Sequence, residues 1–234
     1  MQVLAIESAT NVAGLAIVGE ETVVAEATLN TGKTHSQRLM PMLARLLEEA
    51  ELELADLDGI VVSGGPGSFT GLRIGMATAK GLAYAAQKPL VTVSTLDSLA
   101  YNCVGRPELI CPILNARRNE VYSAVYRVND PENFRFVMPY RALPPAELLE
   151  FLGQYEEQVL FLGDGVPVFG AYLREKLGNR CSLAAPVDSL PKAAVLGWLG
   201  LKKLRKGETA DLVQAKPFYI RPSEAEVTWR QKNL

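Results

Sequence analysis

The first thirty residues constrain the fold most. VLAIESA (3–9), GLAIVG (14–19) and TVVAEATL (22–29) are apolar, β-branched runs joined only by ATNVA and GEE. A crossover between parallel strands needs about a dozen residues or more. Links this short leave an antiparallel meander of three strands. In THSQRLMPMLARLLEEAEL (34–52), Leu39, Met42, Leu43, Leu46, Leu47 and Ala50 then fall at helical spacing. Thr34 with Gln37 reads as a capping box, and Pro41 either kinks this helix or marks its first turn.

A strand (59–63), the glycine loop SGGPGSFTGLRIG (63–75), a helix over 69–86, a strand at 89–93 and a helix over 95–104 follow. The pattern restarts at Arg106-Pro107. Strand-like runs at 108–116, 119–128 and 133–140 lead to a helix at 145–152, a strand at 158–163, and helices at 166–178 and 190–207. FYIR (218–221) is a last strand-like piece. Each half is a meander followed by alternation, so the expectation is a two-lobed α/β protein with lobes at 1–104 and 105–234, the tail packing back on the first lobe.

At 234 residues with 48% hydrophobic content, the chain can bury one generous core or two small ones. A net charge of −2 gives no field to attract a polyanion, which disfavours tight direct RNA binding. MQVLAIESA has no basic leader region, and no apolar run reaches the roughly 18 residues of a membrane span, so a cytoplasmic protein is expected. Cys103, Cys111 and Cys181 are odd in number and widely spaced, which fits reduced thiols. With no CxxC and one histidine, a zinc site is not expected.

The glycine loop fails each phosphate-loop template. Leu72-Arg73 follows Gly71 where a Walker A loop needs Lys-Ser/Thr, and after Gly65-Pro66-Gly67 Thr70 stands where the third glycine of a dinucleotide fingerprint belongs, so the spacing is off by one. GxSxG is absent around Ser63 and Ser68. What remains is a strand end, a turn able to take φ > 0 and a helix start that either binds an anion or is capped by Ser68 or Thr70. Along the helix Gly71, Gly75, Ala79 and Ala83 recur every four residues, with Ala77, Gly81 and Ala85 beside them. A helical glycine costs about 1 kcal/mol relative to alanine, so these imply close approach of the helix's own sheet or of a partner helix.

The stretch SGGPGSFTGLRIGMATAKGLA, with LAIESAT, THSQRLMPML and KPFYIR, closely resembles the bacterial TsaB family, also called YeaZ. The match spans most of the chain and is densest in residues 1–105. The resemblance implies the two-lobed fold of actin, Hsp70 and sugar kinases, each lobe a mixed five-stranded sheet with helices. It implies a role in making N6-threonylcarbamoyladenosine at position 37 of tRNAs that read codons beginning with A. There the paralogue TsaD carries the metal and transfers the threonylcarbamoyl group from its adenylate, TsaB binds TsaD, and the ATPase TsaE joins them. The chain would then be a non-catalytic subunit, a homodimer in isolation, reaching tRNA only through the complex.

TsaD places an HxxxH pair of metal ligands where Thr95 and Leu99 stand, and neither is a good metal ligand. The superfamily's first-hairpin aspartate corresponds to Glu7. On the resemblance, ATP or ADP would meet Glu7, Ser8, Thr10, Gly64, Gly65, Gly67 and Ser68, and GDG (163–165) loosely resembles the second-lobe nucleotide motif. The helices at 35–50 and 69–86 would pair with those of a second subunit through Leu39, Met42, Leu43 and Leu46, and through Thr70, Gly71, Arg73, Ile74, Gly75, Met76 and Ala79. Gly75→Leu is then expected to abolish association with TsaD and leave the monomer folded.

His35 is expected to cap or face the cleft, Arg117-Arg118 to be solvated, and KKLRK (202–206) to sit at the negative end of a helix dipole. Tyr122, Tyr126, Phe134 and Phe136 are expected in the core. The competing function is an active ATPase or small-molecule kinase of the same fold, decided by Glu7 and the completeness of a nucleotide site. A peptidase acting on the paralogue lacks a credible nucleophile and base.

Overall fold

The computed structural model describes residues 1–31, 34–131 and 134–221. The meander forms as β1 (Gln2–Glu7), β2 (Ala13–Gly19) and β3 (Val23–Leu29), all antiparallel. β4 (Gly59–Gly65) adds parallel to β1, and β5 (Leu90–Ser94) parallel to β4, giving the order β3-β2-β1-β4-β5.

β2 and β4 are buried along their whole length, so both faces of this sheet need cover. Alternate residues go to opposite sides. Leu4, Ile6, Leu15, Ile17, Ile60 and Val62 meet α1 (His35–Glu49) and α2 (Phe69–Ala86). Val3, Ala5, Ala16, Val18 and Val61 meet α6 (Ala193–Arg205) on the other side.

The second sheet repeats the plan. β6 (Leu109–Arg117), β7 (Glu120–Arg127) and β8 (Arg135–Leu143) form the meander, while β9 (Val159–Leu162) and β10 (Cys181–Leu183) add in parallel, in the order β10-β9-β6-β7-β8. α4 (Pro145–Leu152) and α5 (Val166–Leu177) cover one face. The other face is covered by α3 (Thr95–Tyr101), which follows the last strand of the first sheet. α6, which follows the last strand of the second sheet, returns to the first. Each sheet therefore lends one helix to the other.

Several local expectations are corrected. Thr34 is the N-cap of α1, but its side chain bonds the Ser36 hydroxyl at 3.2 Å and makes no cap, so the capping box with Gln37 is not formed. Pro41 lies inside α1 and does not mark its first turn. FYIR forms no strand. Residues 210–221 run instead as a strap: Ala210 bridges Leu90, Lys80 Nζ donates to the Val213 and Ala215 carbonyls at 3.0 and 3.1 Å, and Phe218 N donates to Gly64 O at 2.7 Å. α3 ends at Tyr101, and α6 spans less than the 190–207 run. Asn133, where the third strand of the second half was expected to begin, and the tail beyond residue 221 lie outside the described residues.

Candidate functional site

α2 starts where Ser68 accepts the Gly71 amide at 3.3 Å, so the capping reading of this loop holds. Its glycine side faces inward. A Cβ on Gly71 would overlap the Ser8 carbonyl, one on Gly75 would overlap Ser8 Oγ, and Ser8 Oγ donates to Gly71 O at 3.0 Å. The small side chains let α2 lie directly on the end of β1. Gly71, Gly75 and Ala79 are therefore buried against the chain's own sheet, not offered to a partner, and Gly75→Leu cannot spare the fold. Leu39, Leu43, Leu46 and Met76 are likewise buried in the first lobe's core, and Met42 packs against it.

The outer face of α2 is different. Of the residues expected at the interface, Thr70 and Arg73 are exposed and Ile74 is half-buried. One, two and three turns on from Arg73, Ala77, Gly81 and Ala85 are also exposed, with Tyr84 78% exposed. Among the described residues, no atom outside the helix's own turn lies within 4 Å of a Cβ placed on Gly81, so no contact there explains that glycine. Its position in the small-residue pattern was the available sequence signal. α1, packed beside α2, adds Met40 at 51% exposure. The strap borders this face: Arg73 lies over the Phe69 ring at 3.8 Å and bonds the Tyr219 hydroxyl at 3.2 Å, and Phe69 and Tyr219 stack at 4.9 Å.

Cavities of about 570 and 310 Å³ lie between the lobes among the described residues. The larger is lined by Thr10, Gly67 and Ser68 from the first lobe, by Arg117, Arg118, Tyr122 and Asp164 from the second, and by Tyr219 and Arg221 of the strap. Arg117, Arg118 and Asn119 take φ of 63, 50 and 59°, three left-handed residues in succession that form the sharp β6–β7 turn. Asp164, in GDG, accepts the Asn115 amide at 2.8 Å, and its carboxyl is raised by burial against that bond. Gly163, at φ 103°, and Gly165 press against the Ile113 carbonyl, so GDG is a tight turn that brings Asp164 to both cavities. Arg221 pairs with Glu120.

The expected nucleotide residues divide. Thr10, Gly67 and Ser68 line the larger cavity; Glu7, Ser8, Gly64 and Gly65 line neither. Phe218 covers Gly64 and Gly65. Glu7 is fully buried. Burial pushes its carboxyl up to about 7, opposed by the bond from the Ala9 amide. Oε1 takes the Ala9 amide at 2.7 Å and Oε2 has no partner. A carboxyl so placed does not fit the role of metal and phosphate ligand in the cleft. Thr95 and Leu99 are also fully buried, and no cluster of three His, Cys, Asp or Glu side chains is placed to hold a metal among the described residues.

His35 Nε2 donates to the Thr10 carbonyl at 2.8 Å and its ring packs over Gly71, which ties α1 to the cleft wall. Tyr126 is core as expected, but Tyr122 reaches the larger cavity and Phe136 is 49% exposed. Lys202, Lys203 and Arg205 occupy the last turn of α6. The cysteines are free; burial pushes Cys103 and Cys111 up to about 11 and 12, which makes them poor nucleophiles.

The family model described as TsaD, tRNA N6-adenosine threonylcarbamoyltransferase, matches residues 22–229. The tRNA threonylcarbamoyladenosine biosynthesis protein TsaB of Bacillus subtilis (strain 168) is 36% identical over 229 residues, 98% of each chain. The solved structure of YeaZ from Pseudomonas aeruginosa superposes with a TM-score of 0.77 at 30% identity, covering 93% of this chain and 99% of that one. The ROK hexokinase of Thermus thermophilus shares the two-lobed architecture at a TM-score of 0.51 and 10% identity, covering 88% of this chain and all of its own. Similarity along nearly the whole length, on a fold shared with sugar kinases, places the chain: it belongs to the TsaB (YeaZ) family of tRNA threonylcarbamoyladenosine biosynthesis proteins.

Proposed function

We propose that the chain is a non-catalytic subunit of the machinery that makes N6-threonylcarbamoyladenosine at position 37 of tRNA, acting in the cytoplasm with TsaD and TsaE. It binds TsaD through the outer faces of α1 and α2, pairs with itself in isolation, and meets tRNA only through the complex. The exposed face Ala77-Gly81-Tyr84-Ala85 carries this reading, because no described residue packs on the mid-helix Gly81 and a helical glycine costs stability unless something lies close to it. The sealed Glu7 and the buried Thr95 and Leu99 support a non-catalytic role. No helix among the described residues is long and apolar enough to cross a membrane.

Co-purification with TsaD tests the interface. Gly81→Arg is expected to leave a folded monomer that no longer retains TsaD; wild-type retention by a folded Gly81→Arg chain would overturn it.

The 570 Å³ cavity, with Thr10, Gly67 and Ser68 on its wall, favours a second reading in which ATP or ADP occupies the cleft. Sustained ATP turnover by the purified chain with magnesium, lost in Glu7→Gln, would favour the ATPase or kinase alternative over the leading one.

A further inference from the structure

α3 belongs to both lobes. It continues from β5 of the first sheet, yet Leu96, Leu99 and Ala100 are buried with Ile110, Leu114 and Tyr126 of the second. Asp97 enters this same boundary. Its Oδ1 accepts the hydroxyls of Tyr126 on β7 and Tyr140 on β8, each at 2.8 Å, and Tyr140 also reaches Oδ2 at 2.8 Å. Lys203 of α6 lies close enough to favour the charged carboxylate. Burial raises the Asp97 carboxyl, opposed by both tyrosine bonds and by Lys203.

The contacts continue along α3 in both directions. The Tyr126 ring packs on Phe134 and Phe136 at 4.8 and 5.0 Å. At the other end Asn102 Nδ2 donates to the Asp188 and Leu190 carbonyls, both at 2.9 Å, on the segment that leads into α6. Trp198 of α6 donates to the Tyr101 hydroxyl at 3.2 Å. Two-lobed proteins that close on ligands do so across small, polar domain boundaries with a hinge. Here the boundary is an apolar core around a desolvated carboxylate, and parting the lobes would strip that group of both donors.

We propose that α3, through the clasp of Asp97 with Tyr126 and Tyr140, fastens the two lobes into one rigid body, so that the cleft keeps a fixed opening instead of closing on a ligand. A subunit built this way offers its partner a preformed surface.

Spin labels on the exposed residues Ala44 of α1 and Ala171 of α5, each changed to cysteine in a Cys181→Ser background, measure the interlobe distance by pulsed electron resonance. Diluted with an excess of unlabelled chain, so that no dimer carries two labelled copies, the otherwise unchanged chain is expected to give a single narrow distance that Mg-ATP does not move. Asp97→Ala is expected to broaden it and add a second distance. The pair Tyr126→Phe with Tyr140→Phe, which removes only the hydroxyls, is expected to do the same and carries the test if Asp97→Ala fails to fold by circular dichroism. Two distances in the spin-diluted parent, a shift with Mg-ATP, or folded clasp variants with the parent's distribution would each overturn the proposal.

Discussion

Gly75 rests on Ser8 so closely that a methyl group on Gly75 would overlap Ser8 Oγ, while that hydroxyl holds the Gly71 carbonyl, one turn earlier on α2, at 3.0 Å. The first lobe is thus closed by a glycine contact within one chain. Gly75→Ala gains helix propensity but overpacks this contact, and is expected to lower stability by about 1–3 kcal/mol in urea unfolding. Gly75→Leu is expected to yield no folded monomer. A soluble Gly75→Leu chain with the parent's melting temperature would show that the contact yields easily.

Gly81 lies on the same helix and makes the opposite case. With open space around its missing Cβ, Gly81→Ala is expected to stabilise the monomer by about 1 kcal/mol, read as a higher urea midpoint. The comparison is made at chain concentrations low enough to hold the monomer, where an unchanged or lower midpoint would contradict the open space around Gly81.

Glu7 makes stability depend on pH. Its carboxyl titrates at the ordinary 4.5 in the unfolded chain and at about 7 in the folded one. Between those values the folded state keeps a proton that the unfolded state has released, so stability falls as pH rises through this window, by about 3 kcal/mol when complete. Glu7→Gln, always neutral, is expected to exceed the parent in urea midpoint at about pH 8 and to match it near pH 4. Equal midpoints at both pH values would contradict a buried, neutral Glu7.

The meander was legible because link length alone forbids other pairings, and α2 runs from Phe69 to Ala86 as its periodicity indicates. Periodicity could not say which sheet a helix covers. α3 and α6 each show an apolar side, and each spends it on the other lobe's sheet, a choice made only by tertiary packing. The glycine stripe signalled close approach correctly, but small residues carry no label for the neighbour. Gly71 and Gly75 meet Ser8, and only Gly81 remains uncovered. FYIR alternates like a strand, but Phe218 and Tyr219 serve as anchors over Gly64 and Phe69. β10, three residues long, is too short for any pattern to show.

The most direct test is reconstitution of threonylcarbamoyl transfer to tRNA from the adenylate with TsaD and TsaE. The account expects modification with the parent chain, and its loss both when the chain is omitted and when folded Gly81→Arg replaces it. Full-rate modification without the chain would contradict it.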